Sequence, residues 1–177
     1  VFKRSNGSIK VEGDSMYKSA INQFDVFSDY SKIEAAVSDG DDITALAEFQ
    51  DKILQFKQNT LYIINFGGSV EKLEGTHRHK GVSSPASVCK TDYGVAWANE
   101  HGCYLYDGKN IIDLLEKQGL QKIKESDWQS FVDIPMVGYF PRKRQLIVVD
   151  DVTTTGDGVI YLYDMVTTSW TKSSAVK

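Results

Sequence analysis

A five-residue pattern that occurs three times narrows most sharply what this chain can fold into. Leu61-Tyr62-Ile63-Ile64-Asn65, Cys103-Tyr104-Leu105-Tyr106-Asp107 and Ile160-Tyr161-Leu162-Tyr163-Asp164 share Tyr in second place, an aliphatic third, Ile or Tyr fourth, and Asn or Asp last. Each closes a group of three short apolar runs separated by polar breaks, which is the signal of strands joined by tight turns. The groups are 43–49, 52–57 and 60–66; then 86–90, 94–98 and 102–106; then 136–140, 145–149 and 159–163. The run from Leu61 to Ile64 leaves no polar face, so a strand there must be covered on both sides. Stacked sheets provide that cover.

Tyr104 follows Tyr62 by 42 residues, within the ~40 to 50 of one propeller blade. Tyr161 follows Tyr104 by 57 residues, and the surplus falls in 110–131. There Asn110 is expected to cap a short helix running through Glu116, Gly119 to end it, and Ser126 to cap another turn. The expected fold is all-β: β-propeller-like blades of antiparallel strands with a short helical insertion, favoured over an ordinary β-sandwich with similar strand spacing. Three blades do not close a ring of ~4 to 8, so the propeller is expected to be incomplete or fragmentary. Open blades expose strand edges and apolar faces, which makes assembly a physical expectation.

At 177 residues the chain is sized for one domain. Residues 1–40 read as a polar, irregular N-terminal segment with candidate strands near 8–12 and 20–27, and 41–177 as the blades with their insertion at about 110–131. The chain begins at Val1 with no apolar signal core, so a fragment of a longer protein or a processed product is expected. A formal charge of −4, with 20 basic residues dispersed among 24 acidic ones, argues against specific nucleic-acid recognition. No apolar run approaches the roughly 20 residues of a membrane helix. Cys89 and Cys103 are too few for a disulfide scaffold and read as free, buried thiols.

The sequence offers no catalytic, cofactor-binding or metal-ligating residue set. His77-Arg78-His79 brings two imidazoles close in sequence but fixes no carboxylate or thiol partner, so a solvated loop is the better reading. His101, Cys103 and Cys89 lack the spacing of a zinc knuckle. Asp39-Gly40-Asp41-Asp42 has the composition of a calcium loop without its alternating ligands, and Asp150-Asp151 with Asp157 is what turn chemistry supplies. Arg142-Lys143-Arg144 reads as a solvated basic turn, against the alternative of a contact with DNA or an acidic neighbour. Trp170, six residues after Asp164, fits a kelch-type strand-turn-Trp pattern or, more simply, an aromatic plug between blades. No nucleophile elbow, P-loop or dinucleotide fingerprint occurs, so the chain is not expected to be an enzyme.

The order of several motifs resembles the tail-nozzle and tail-stabilising propeller proteins of short-tailed bacteriophages, including the muzzle-type proteins of crAss-like phages. The motifs are Phe24-Asp25-Val26-Phe27, Ile33-Glu34, Asp39 to Leu46, and Lys52 through Ile64; then Gly81-Val82-Ser83-Ser84-Pro85-Ala86-Ser87-Val88, Asn99 to Gly108, and Tyr161 to Trp170. The likeness covers about Phe24 to Trp170 and bears on architecture rather than on activity. It implies a virion structural protein of the phage tail, a nozzle, hub or muzzle component that forms part of the DNA conduit for genome ejection. It also implies a cyclic homo-oligomer, commonly six-fold, that holds other tail proteins. This chain is far shorter than a whole nozzle subunit. The rival expectation is a stand-alone kelch-like or lectin-like propeller that binds protein or glycan through its loops.

Overall fold

A computed structural model describes residues 2–3, 9–10, 13–33, 39–117, 119–150 and 158–176. Each expected group of strands forms one antiparallel meander, and each meander has four strands. Sheet I comprises Ile43–Phe49, Lys52–Lys57, Thr60–Asn65 and Lys72–Arg78. Sheet II comprises Val88–Thr91, Gly94–Asn99, Gly102–Tyr106 and Ile111–Asp113. Sheet III comprises Pro135–Phe140, Gln145–Asp150, Gly158–Asp164 and Ser169–Val176. The fold is therefore all-β, built from antiparallel sheets with one short α-helix among the described residues.

The closing Asn or Asp of the pentapeptide has a local cause. Asn65 accepts the Gly67 N–H at 2.7 Å, Asp107 those of Lys109 and Asn110 at 2.8 and 2.7 Å, and Asp164 those of Val166 and Thr167 at 2.9 Å. Each side chain thus builds the turn from third to fourth strand by replacing a missing backbone partner.

The three sheets stack face to face, and their registers coincide. In the second and third strands, Leu54 pairs with Ile63 and Phe56 with Leu61; Ala96 with Leu105 and Ala98 with Cys103; Ile147 with Leu162 and Val149 with Ile160. In sheets I and II these aliphatic-rich sets face the next sheet along the chain, and in sheet III the equivalent set lies on the outer side. The alternate set faces the preceding sheet, because side chains on a strand alternate sides. Leu54, Phe56, Leu61 and Ile63 of sheet I pack on Val95, Trp97, Tyr104 and Tyr106 of sheet II. Ala96, Ala98, Cys103 and Leu105 of sheet II then pack on Leu146, Val148, Tyr161 and Tyr163 of sheet III. The pentapeptide tyrosines Tyr104 and Tyr161 accordingly point backward along the stack, and so does Tyr62.

The outer face of sheet I is covered by a small hairpin pairing Met16–Tyr17 with Lys32–Ile33, whose Met16 and Ile33 bury Ile64. A further two-residue pair joins Phe2–Lys3 to Ile9–Lys10, of which Ile9–Lys10 falls in the strand region expected near 8–12. Residues 20–27 form no strand. They run through successive turns, with backbone bonds from Gln23 to the Ala20 carbonyl and from Val26 to the Gln23 carbonyl, and hold Ile21, Phe24, Val26 and Phe27 in solvent.

The insertion differs from its expected form. Asn110 caps no helix; the chain goes directly into the fourth strand of sheet II at Ile111. Glu116–Lys117 and Leu120–Gln121 pair as a hairpin, in which Gly119 adopts a positive φ of 78°. Only Glu125–Phe131 is helical, starting after Lys124 without a side-chain cap at Ser126. The segment is held by burial instead: Leu114, Leu115, Ile123, Trp128 and Val132 join the core between sheets II and III. No helix among the described residues is long and apolar enough to cross a membrane.

Candidate functional site

One end of the stack gathers the turns between second and third strands, Gln58-Asn59 and Glu100-His101, with the connections that lead from sheet to sheet, 79–87 and 114–134. Asn99 organises it. Its side-chain amide donates to the carbonyls of His79 at 3.1 Å and Gly81 at 2.8 Å. Its Oδ1 accepts from the N–H groups of His101 and Gly102 at 2.9 and 3.1 Å, and its carbonyl accepts from Trp128 Nε1 at 2.9 Å. A single side chain and its own carbonyl thus tie together a hairpin, a connection and the insertion helix. The connection from sheet I presses close: Val82 N–H bonds to the Lys57 carbonyl at 2.9 Å. A Cβ on Gly81 would lie 2.2 Å from that same oxygen, which requires glycine there.

Two adjoining cavities open at this end and share His101. One, of about 340 Å³, is lined by Asn59, His79, Ser83, Asn99, His101 and Asp133 among others. The other, of about 280 Å³, takes Lys80, Tyr104, Asp113, Glu116, Glu125 and Trp128. In the second, Lys80 Nζ sits 3.5 Å from the centre of the Tyr104 ring, a cation–π contact. Burial pulls the Lys80 ammonium below its usual pKa and pushes the carboxyl of Asp113 and the phenol of Tyr104 above theirs. Each of these groups is less well solvated than on an open surface. Donors and acceptors over a floor of Leu115, Ile123 and Trp128 suit the binding of a polar group by hydrogen bonding.

The residues singled out from sequence are dispersed. His77 lies in the fourth strand of sheet I opposite Leu61, with its imidazole pKa lowered by burial, while His79 follows the strand with a φ of 61°. His79 instead meets His101, ring centres 5.1 Å apart and nearly perpendicular, and Glu100 lies 3.3 Å from His101 Nε2. Among the described residues no group of three His, Cys, Asp or Glu side chains is placed to hold a metal ion. Both cysteines are free; Cys103 is buried, but Cys89 is only partly so, because its strand is the first of sheet II. Burial raises the thiol pKa of each.

Asp39 caps its own turn by accepting the Asp41 N–H, and also accepts from Lys57 Nζ and, at 2.6 Å, from the Tyr62 hydroxyl. Partial burial pushes its carboxyl up, but the bonds from Lys57, Tyr62 and the Asp41 backbone outweigh this and leave the pKa lowered. The bond to Asp39 pushes the Tyr62 phenol up to about 12. The acidic cluster is therefore a clamp on a fully buried lysine. Asp150 accepts the Asp133 N–H at 3.0 Å, whereas Asp151 and Asp157, with the expected loop at 153–158 up to Asp157, lie outside the described residues. Arg142, Lys143 and Arg144 form an exposed turn at the opposite end of sheet III. Trp170 plugs the gap between sheet III and the insertion: its ring contacts Trp128, Tyr161 and Tyr163, and its Nε1 donates to the Leu114 carbonyl at 2.7 Å.

Sequence reasoning missed Asn99 as the organising residue and Lys80, Tyr104 and Asp113 as cavity lining. The Asn99-Glu100-His101-Gly102 turn was legible, but which connection would lie against it depends on the stacking of sheets. No protein-family model matches the chain, and a search of curated proteins returns no match.

Proposed function

We propose that the chain is a structural part of a short-tailed bacteriophage tail, a nozzle, hub or muzzle component whose three meanders are blades of an incomplete β-propeller. In this reading it works through assembly: it docks on copies of itself and on other tail proteins, and its mildly acidic surface, with a net charge of −4, lets DNA pass without sticking. It assigns no catalysis to the chain. The supporting observation is that Ile147, Val149, Ile160 and Leu162 of sheet III repeat the register of the buried aliphatic sets in sheets I and II, yet remain only partly buried. A chain that keeps an apolar face of this kind is made to be covered. The test is electron microscopy of particles carrying a labelled copy of the protein. Label on the tail axis is the expected result; label absent from virions and tail assemblies would sink the reading.

The two cavities favour a second reading, a stand-alone kelch-like or lectin-like propeller that binds a glycan or peptide at its loop end. A glycan and peptide array probed with the wild-type chain and with Lys80→Ala separates the two. Binding that is lost in the variant supports the module, and an array that returns nothing removes it.

A further inference from the structure

Two apolar surfaces have no partner among the described residues, and they lie at opposite ends of the stack. The first is an arm formed by residues 20–30 of the N-terminal hairpin. Its base is closed by the Met16–Ile33 pairing and by the Lys18 N–H bonded to the Ser31 carbonyl at 3.2 Å. Along the arm, Ile21 is 91%, Phe24 84%, Val26 53%, Phe27 52% and Tyr30 100% exposed. Five large apolar side chains within ten residues, all more than half in solvent, are not explained by the fold of the arm, because its turns are made by backbone bonds. The second surface is the outer face of sheet III, where Met136 and Phe140, 41% and 40% exposed, flank Ile147, Val149, Ile160 and Leu162.

We propose that the arm of one copy packs on the outer face of sheet III in a second copy. Three observations carry this. The interfaces inside the chain set an aliphatic-rich face against one that carries aromatics: Leu54, Phe56, Leu61 and Ile63 against Val95, Trp97, Tyr104 and Tyr106, and Ala96, Ala98, Cys103 and Leu105 against Leu146, Val148, Tyr161 and Tyr163. The face of sheet III is the third instance of the aliphatic-rich side, and the arm offers aromatics in Phe24, Phe27 and Tyr30. The arm supplies area of the right order: at ~150 to 250 Å² per aromatic side chain, with its two aliphatics it presents on the order of 700 Å². A standard interface buries ~800 Å² on each partner. Finally, the arm cannot cover its own sheet III, since it is folded into turns on the far side of a stack whose sheets are ~10 Å apart.

Surfaces at opposite ends make the contact heterologous, so copies join head to tail and either close a ring or extend. This deepens the assembly reading above and rests on it for the supply of neighbouring copies. The two are separable, because association of the purified chain can fail while label still marks the tail, and the reverse.

The test is sedimentation velocity of the 177-residue chain as wild type, as the arm variant Phe24→Asp/Phe27→Asp, and as the face variant Met136→Lys/Phe140→Lys. These four positions are exposed, so folding is retained, and far-UV circular dichroism checks it. The expected result is concentration-dependent association of the wild type, monomers for each variant alone, and a species of two copies, no larger, when the variants are mixed. That mixture leaves one intact arm and one intact face, on different molecules. A monomeric wild type at every concentration overturns the proposal, as does a mixture that stays monomeric. Association lost only in the face variant also overturns it, and assigns the face to another occupant such as a further meander.

Discussion

The outer faces of sheets I and III are opposite sides of equivalent meanders, the backward-looking side of one and the forward-looking side of the other, and they are finished in different ways. On sheet I, Gln55 and Lys57 are polar, nearly or fully inaccessible, and Lys57 is neutralised by Asp39 from the turn before the sheet. Met16 and Ile33 close over Ile64 beside them. On the outer face of sheet III the pairs Ile147–Leu162 and Val149–Ile160 are adjacent, with the polar pair Gln145–Asp164 only at their border, and all four aliphatic side chains stay partly exposed. A buried charge needs a specific partner in a fixed place, so sheet I can accept only its own cover. An aliphatic face accepts any complementary apolar surface. The face of sheet I is thereby covered from within the chain, whereas that of sheet III keeps a partly exposed apolar surface.

The largest effects should come from the layers between these faces. Trp128→Ala removes the ring that contacts Phe131, Tyr161 and Trp170, and should lower the unfolding free energy by about 3 to 5 kcal/mol in urea titration. At the closed end, Asp39→Asn leaves the Lys57 ammonium buried against a neutral amide and should cost about 3 kcal/mol. The pH dependence gives the sign. A carboxyl whose pKa is lowered in the folded state contributes stability that is fully present above its unfolded value, near ~4, and lost as pH falls through the folded value. Wild type should therefore lose stability below pH ~4 more steeply than Asp39→Asn; parallel acid profiles would refute the clamp.

The comparison sharpens at one register position shared by three sheets. Ile63 and Leu105 are 5% and 7% exposed, while their equivalent Leu162 is half-buried. Leu105→Ala should cost about 3 kcal/mol, and Leu162→Ala less than ~1 in the dilute monomer. Equal losses at both positions would mean that the face of sheet III is already covered. Between those two, Asn99→Ala should cost about 1 to 2 kcal/mol, because water can replace part of its hydrogen bonding at the exposed loop end. Its more specific effect would be faster exchange of the Trp128 indole proton, read by NMR.

The first three strands of each meander were legible because their alternation and their turns are written locally, in runs such as Lys52 to Asn65. The fourth strands were not. Lys72–Arg78 and Ser169–Val176 are edge strands, and most side chains of 72–78 and 169–173 are exposed, so these sequences carry little apolar pattern and only pairing with a finished third strand defines them. The helix expected from Asn110 failed for a related reason. Local capping signals there lose to the register already set by Tyr104 to Tyr106, which draws Ile111 to Asp113 into sheet II. At the loop end, the nearness of His79 to His101 and of Lys80 to Tyr104 joins parts of different sheets and could not be read along the chain.

The amino-acid sequence by itself determined the all-β class, the three-fold repeat and the Asn or Asp turns that end each third strand, since these follow from side-chain alternation and from bonds a few residues long. Tertiary structure alone decided which face of each strand looks forward or backward along the stack, that Asn99 gathers the loop end, and that one outer face is sealed while the other stays open. Those outcomes depend on which surfaces meet across about 10 Å between sheets, a distance over which neighbours in space are not neighbours in sequence.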